Sequence, residues 1–220
     1  MFSDEMLSLM GKGLLETLYM TVISTVMAYV LGLPVGMLLV VTDKDGIRPN
    51  AALNRIVGGI VNVLRSVPFI ILLVAVIPLT RAIVGTSIGS TATIVPLVIA
   101  AAPFVARMVE SAAKEVDRGV IEASLSMGAS TLEIVYKVLL PEAKPSLIVG
   151  AAIATTTILG YSAMSGFVGG GGLGTIAVNY GYYRSQTDIM LVMVAILVLI
   201  VQVFQEIGNL ISSKSDKRIR

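Results

Sequence analysis

Long apolar runs separated by short polar ones organise this chain. A helix needs about 20 residues, at about 1.5 Å each, to cross the hydrocarbon core of a bilayer. Five runs serve as spans: 17–41, 57–80, 91–106, 147–165 and 189–204. Pro96 and Pro103 fall inside the third, where neighbouring helices can satisfy the carbonyls that proline frees. The pattern predicts an all-α polytopic membrane protein with one transmembrane domain over 13–206, a retained interfacial segment at 1–12 and a polar tail at 207–220. Residues 1–17 carry Asp4, Glu5, Gly11 and Gly13 and lack the basic flank and small-residue cleavage site of a signal peptide.

One stretch breaks the pattern. Residues 107–144 hold 11 of the 30 charged residues, and the loop 111–144 reads as two short helices. Ser130 followed by Glu133 is a capping box that starts a helix, and Leu132, Val135, Val138 and Leu139 recur at helical spacing until Pro141, which is expected to stop it. Upstream, Val120, Ile121, Ser124 and Leu125 form one side of a shorter helix, and Gly128 with Ala129 permits a sharp turn between the two. A plain connector needs neither a cap nor an apolar face. Two readings follow: another protein docks here, or the helices lie in the lipid headgroups as amphipathic segments do.

Charge sets an orientation. Lys44, Arg48 and Arg55, then Arg107, Lys114, Arg118, Lys137 and Lys144, then Lys214, Lys217, Arg218 and Arg220 fall on one side of a five-span chain, against Lys12, Arg81 and Arg184 on the other. The positive-inside rule makes the 111–144 loop cytoplasmic and the N-terminus external. Arg65, near an end of span two, either snorkels to the interface or lines a pathway. Composition narrows the chemistry: 55% hydrophobic and 14% charged residues place the chain among membrane proteins. The absence of Cys and His removes disulfides, zinc sites and a Ser-His-Asp triad. A net charge of +2, spread over several loops, excludes a nucleic-acid surface.

The polar island resembles a known motif. Glu122, Ala123 and Ser124, then Gly128, then Val138, Leu139, Leu140 and Pro141 are similar to the EAA motif of type I ABC importer permeases, with Ser124 and Val138 replacing the usual Ala and Ile. The resemblance extends over about Gly13–Phe204. RSVPFIILLVAVIPLTRAIVGTSIG (65–89), VPLVIAAAPFVARMVE (95–110) and GYSAMSGFVGGGGLG (160–174) look like the permease subunits of bacterial methionine importers. That resemblance implies an inner-membrane homodimer whose loop, through Glu122, Ala123, Ser124, Gly128, Ala129, Leu140 and Pro141, couples to a cytoplasmic ATPase dimer with C-terminal ligand-sensing domains. It also implies an extracytoplasmic methionine-binding lipoprotein, with ATP and Mg bound by the ATPase and no cofactor in this chain.

The residues test that picture in part. The chain has no Gly-x-x-x-x-Gly-Lys-[Ser/Thr] phosphate loop, since GTSIGST (85–91) lacks the lysine. The apolar cores hold no acidic or histidine relay for an ion-driven carrier. A passive channel, a permease for another small solute and a membrane scaffold are the alternatives; an intramembrane enzyme lacks a nucleophile and base. Seven of the 15 residues in 160–174 are glycine, so regular helix is expected to stop there. Tyr161, Ser162, Met164 and Ser165 just before the glycines are candidates for the substrate path or an outer gate, with Asn62 and Ser66 as further path positions. The opposing reading makes 169–172 a mobile external loop and packs Met164 in the core. Gly32 and Gly36 form a GxxxG pair, suited to packing within the subunit or to a dimer face; the 11 methionines read as apolar filling.

Overall fold

A computed structural model describes residues 4–215 as helices joined by short turns. In chain order they are α1 (Asp4–Thr42), α2 (Ala51–Ser66), α3 (Phe69–Ala75), α4 (Ile77–Val84), α5 (Ser90–Lys114), α6 (Arg118–Ser126), α7 (Thr131–Ile134), α8 (Leu140–Glu142), α9 (Lys144–Met164), α10 (Gly172–Ile176) and α11 (Thr187–Ser215). A π turn, Val135–Leu139, joins α7 to α8, a 3₁₀ turn, Ser165–Val168, follows α9, and a second π turn, Ala177–Tyr182, follows α10. Among the described residues four stretches are long and apolar enough to cross a membrane, and the bent α2–α3 pair makes a fifth.

The spans differ from the sequence pattern in instructive ways. α1 is one unbroken helix of 39 residues, roughly twice the length a hydrocarbon core requires, and it absorbs residues 4–12, which the pattern set apart as an interfacial segment. Span two is not one straight helix. α2 and α3 meet at 101°, because Pro68 biases Val67 away from helical backbone and Val67 is extended, at φ −79° and ψ 123°. α5 continues past residue 106 to Lys114, so Arg107 belongs to a helix and not to a loop. α11 likewise outruns 189–204 at both ends. Of the basic tail, Lys217, Arg218 and Arg220 lie outside the described residues.

Small and polar residues line much of the buried face of α1, beside large ones such as Met20 and Leu39, while many large apolar side chains face outward. On α1 the buried stripe is Gly13, Thr17, Thr21, Ser24, Ala28, Gly32 and Gly36, whereas Leu15, Val22, Val26 and Val30 are exposed. Lipid is as apolar as Leu or Val, so no hydrophobic force drives those side chains together, and helices associate where small residues let backbones approach. α1 and α5 run parallel. A Cβ on Gly32 would stand 2.8 Å from the Ala102 carbonyl oxygen, and one on Gly36 2.5 Å from that of Ala106, so the GxxxG pair packs within the subunit. α9 runs antiparallel to both, with the Tyr29 hydroxyl donating to the Leu147 carbonyl at 3.2 Å. α11 packs on α9, where Gly208 meets Ala152.

A leucine at Gly36 is expected to force α1 from α5 and lower stability by about 1–3 kcal/mol, the usual cost of overpacking. Gly11→Ala, whose Cβ meets nothing within 4 Å, should be neutral or slightly stabilising. Melting temperatures of the two variants in detergent check the contrast.

Candidate functional site

Two segments carry the candidate residues. The first is the helix pair α6–α8. Asp117 starts α6 by accepting the Gly119 N–H at 2.7 Å. α7 starts at a complete capping box: the Ser130 hydroxyl accepts from the Glu133 N–H, and Glu133 accepts from the Ser130 N–H at 3.0 Å. The Ser130 N–H, followed by Lys137 and the Ser130 hydroxyl, pulls the Glu133 carboxyl down to about 2. A carboxyl depressed in this way contributes above its ordinary value of 4.5 and is lost only as pH falls toward 2.

Gly128 makes the turn at φ +81°. A Cβ there would touch nothing within 4 Å, so the requirement is the left-handed backbone alone and not a close approach. Pro141 does not end the helix as its position predicts. It lacks an N–H and would clash with a carbonyl four residues back, and the preceding π turn shifts the register so that the Leu140 N–H reaches the Val135 carbonyl; helix continues to Glu142.

Most of the apolar face expected to be free for docking or headgroups is instead turned into the subunit. Ile134 and Leu139 are fully buried in the main core, with Ile121, Val135 and Val138 packed against it, whereas Leu132 and Tyr136 are each 69% exposed and Met127 is 80% exposed. Glu122, Ala123 and Pro141 are exposed, Ala129 and Leu140 half-buried. Ser124 is buried and donates to the Val120 carbonyl at 2.8 Å. The pair is thus pinned on one side and presents apolar side chains on the other.

The second segment follows α9. Regular helix stops at Met164, as the glycines predict, but 169–172 is not a loose loop. The Gly89 N–H donates to the Gly169 carbonyl at 2.9 Å and the Thr93 hydroxyl to that of Gly170 at 3.0 Å. On the other side the Gly172 N–H donates to the Glu16 carboxylate at 2.7 Å and the Leu173 N–H to the Thr17 hydroxyl at 2.9 Å. α1 therefore caps α10 in trans, and a carboxylate suits that helix start.

The four candidates before the glycines divide into two kinds. Met164 is 48% exposed and so does not pack in the core. Tyr161 is half-buried and stacks on Phe69 of α3, with ring centroids 4.5 Å apart. Ser162 and Ser165 are buried, and their hydroxyls donate to the carbonyls of Leu159 and Ser162, which leaves neither facing an open path within this chain. Val149, Ile153, Thr157, Gly160 and Met164 are exposed or half-buried along one face of α9, a spacing that lines up on a helix. Asn62 and Ser66 are exposed on α2.

Sequence reasoning missed a charge seam. Arg107 donates to Glu110 at 2.6 Å, to the Gly58 carbonyl at 3.0 Å and to Asn62 Oδ1 at 2.8 Å. Lys114 bridges Glu110 at 2.8 Å and Asp43 at 2.6 Å. Hydrogen bonding from Lys114 holds the Asp43 carboxyl below its usual range. Glu110 is 8% exposed, a burial that two cations make tolerable. Spacings of three and four residues within α5 were the available signal.

A family model described as the binding-protein-dependent transport system inner membrane component matches residues 29–220. The chain belongs to this family. Among the inner-membrane components it is similar to the probable D-methionine transport system permease protein MetI of Vibrio cholerae, 50% identical over 92% of this chain and 90% of that one. It is 57% identical to the D-methionine transport system permease protein MetI of Escherichia coli K12, over 74% and 76% of the two chains. An inward-facing structure of the MetNI methionine ABC transporter superposes with a TM-score of 0.97 and 51% identity, covering 98% of this chain and all of that one. The fold extends to an amino acid ABC transporter at 20% identity and a TM-score of 0.77.

Gly128→Val is expected to destabilise the turn by about 1–2 kcal/mol through left-handed strain, whereas Gly128→Asn, which tolerates that backbone, should keep most function. Transport rate and co-purification of the partner ATPase measure both; equal loss in the two variants would contradict a purely conformational requirement.

Proposed function

We propose that two copies of this chain form the membrane path of an ATP-driven importer for methionine, with a separate cytoplasmic ATP-binding subunit docked on α6–α8 and an extracytoplasmic binding protein delivering the substrate. The observation that carries the reading is the helix pair itself, capped, turned at Gly128 and pinned by Ile134 and Leu139 while Met127, Leu132 and Tyr136 stand exposed. Unpartnered apolar side chains on a built, rigid element fit a protein interface. The names and identity of the relatives support methionine as substrate. ATP and magnesium are assigned to the partner, since the chain has no phosphate loop.

The orientation proposed with it places the N-terminus outside and α6–α8 and the C-terminus in the cytoplasm, on the strength of the basic-residue asymmetry. Met164 then lies toward the outer side. Exposed at the end of a regular helix, it suits an outer gate in which the two copies meet near the symmetry axis.

Purified with its ATPase and binding protein in proteoliposomes, the chain should support methionine uptake, and methionine should raise ATP hydrolysis above every other amino acid; stimulation by a different amino acid would overturn the substrate. In the same vesicles Met164→Ala should raise hydrolysis without binding protein or leak substrate. Tyr161→Ala should chiefly lower uptake through loss of the Phe69 stack, worth about 0.5–1.5 kcal/mol beyond its buried area. Unchanged values in both would make this segment structural.

The chain has no cysteine, so Ser87→Cys and Ser130→Cys report sidedness. An impermeant thiol reagent added to cells with a permeable outer membrane should label only the first; labelling of the second would reverse the orientation.

A further inference from the structure

Arg65 has no part in the docking face or the outer segment, yet it is placed as a functional residue. A cavity of ≈ 590 Å³ opens between α2, α5, α9 and α11, and Arg65 lines it opposite Phe104 and Met108 of α5 and Val149 and Ile153 of α9. The side chain is exposed and has no hydrogen-bond or ion-pair partner among the described residues. The other cation in the wall, Arg107, is already engaged by Glu110, Asn62 and the Gly58 carbonyl. One guanidinium is therefore uncommitted.

Two of its lining residues belong to a longer exposed face. Val149 and Ile153 begin the exposed face of α9 that passes through Thr157 and Gly160 to Met164. A snorkelling arginine lays its stem along lipid-facing helix and ends in headgroups; Arg65 instead lines a cavity shared with α5, α9 and α11, beside the residues that begin the α9 stripe.

We propose that Arg65 is the counter-charge that receives the carboxylate of the transported amino acid in the inner half of the path, while Phe104, Met108 and Ile153 face its apolar side chain. The inference rests on the importer reading above. A guanidinium presents two parallel donors to a carboxylate, and a wall that sets Phe104, Met108, Val149 and Ile153 beside a few polar side chains describes a small-molecule site. A single exposed cation holds its ligand weakly enough to let it leave, as passage demands. The wall also carries the Glu115 carboxylate, bonded by Ser146 at 2.5 Å. That leaves no cluster of free cations of the kind that holds an anionic lipid headgroup.

The test uses the whole complex, with its ATPase and saturating binding protein, in vesicles of phosphatidylcholine alone and with added phosphatidylglycerol. The readout is methionine imported per ATP hydrolysed. In Arg65→Gln this ratio should fall about tenfold, the scale of one charge-assisted hydrogen-bond pair, and Arg65→Lys should restore part of it, in both lipids. Import by Arg65→Gln at the wild-type ratio would overturn the proposal. So would an equal deficit in the Lys and Gln variants, which would make shape and not charge the requirement. A deficit confined to vesicles with phosphatidylglycerol would assign Arg65 to a lipid headgroup instead. A wild-type complex that imports no methionine in any vesicle would sink the substrate reading itself, which keeps the two failures apart.

Discussion

The backbone contact between α1 and α5 is the constraint on which the other parts depend. In lipid the large apolar side chains gain nothing by meeting each other, so the stripe that faces inward is the one that lets backbones close: Gly32 on the Ala102 carbonyl and Gly36 on that of Ala106. Both functional segments hang from the two ends of this one parallel pair. At the N-terminal ends Glu16 and Thr17 of α1, with Thr93 of α5, grip the glycine segment. At the C-terminal ends Asp43, beyond α1, and Arg107, Glu110 and Lys114 of α5 lock the pair together and hold α2 across it. A shift of α1 against α5 reaches the glycine segment and the α6–α8 pair at once.

The charge seam and the α6–α8 pair divide the work at the C-terminal end. Glu110 is buried and doubly paired, so removing Arg107 or Lys114 would leave a carboxylate short of a partner where desolvation is costly. Arg118 adds a longer, exposed bridge to Asp45 at 3.4 Å, worth little by itself. The loop after α1 therefore touches both α5 and the start of α6, and the helix pair beyond it joins the core through Ile134 and Leu139. A force applied to the exposed side of α6–α8 is passed to α5 and α1 through packed side chains, with no floppy linker between.

Much of this was legible in the chain, for physical reasons that also explain what was not. Runs of apolar residues report spans well because a membrane tolerates little else, and Ser130, Glu133 and Gly128 report a cap and a turn because few residue types satisfy those backbones. Family membership was carried by the spacing of Glu122, Gly128 and Pro141. The 101° break at Val67–Pro68 was hidden by hydropathy, which reads lipid exposure and not direction; Pro68 was the local sign. Leu132, Val135, Val138 and Leu139 read as one apolar face, yet the π turn at Val135–Leu139 changes the period, so Leu139 is buried while Leu132 is exposed. The seam was missed because Asp43 lies 71 positions from Lys114, as their numbers show, and periodicity sees only neighbours on one helix. Ser162 and Ser165 were chosen for their hydroxyls, yet a hydroxyl near the end of a helix readily bonds its own backbone.

What can move follows from the kind of contact each part makes. The glycine segment is held by four hydrogen bonds to two helices, one of them to the Glu16 carboxylate, and three of its glycines sit at positive φ, so it is over-determined and rigid. Met164 is exposed, whereas Tyr161 is half-buried against the main core and stacks on Phe69. α2 is fastened at Asn54 to the Leu39 carbonyl and at Gly58 and Asn62 through Arg107, but beyond Pro68 its continuation α3 meets α9 through that same Phe69–Tyr161 stack. Beyond the break at Pro68, α3 is set into the main core by Phe69 and Leu73. Phe69 is the first residue past the break, and its partner Tyr161 lies one turn from Met164 on α9. That stack ties α3 to the Met164 end of the α9 stripe, while a separate set of hydrogen bonds from α1 and the start of α5 holds the glycines, so the two ends of the segment are fastened by different kinds of contact.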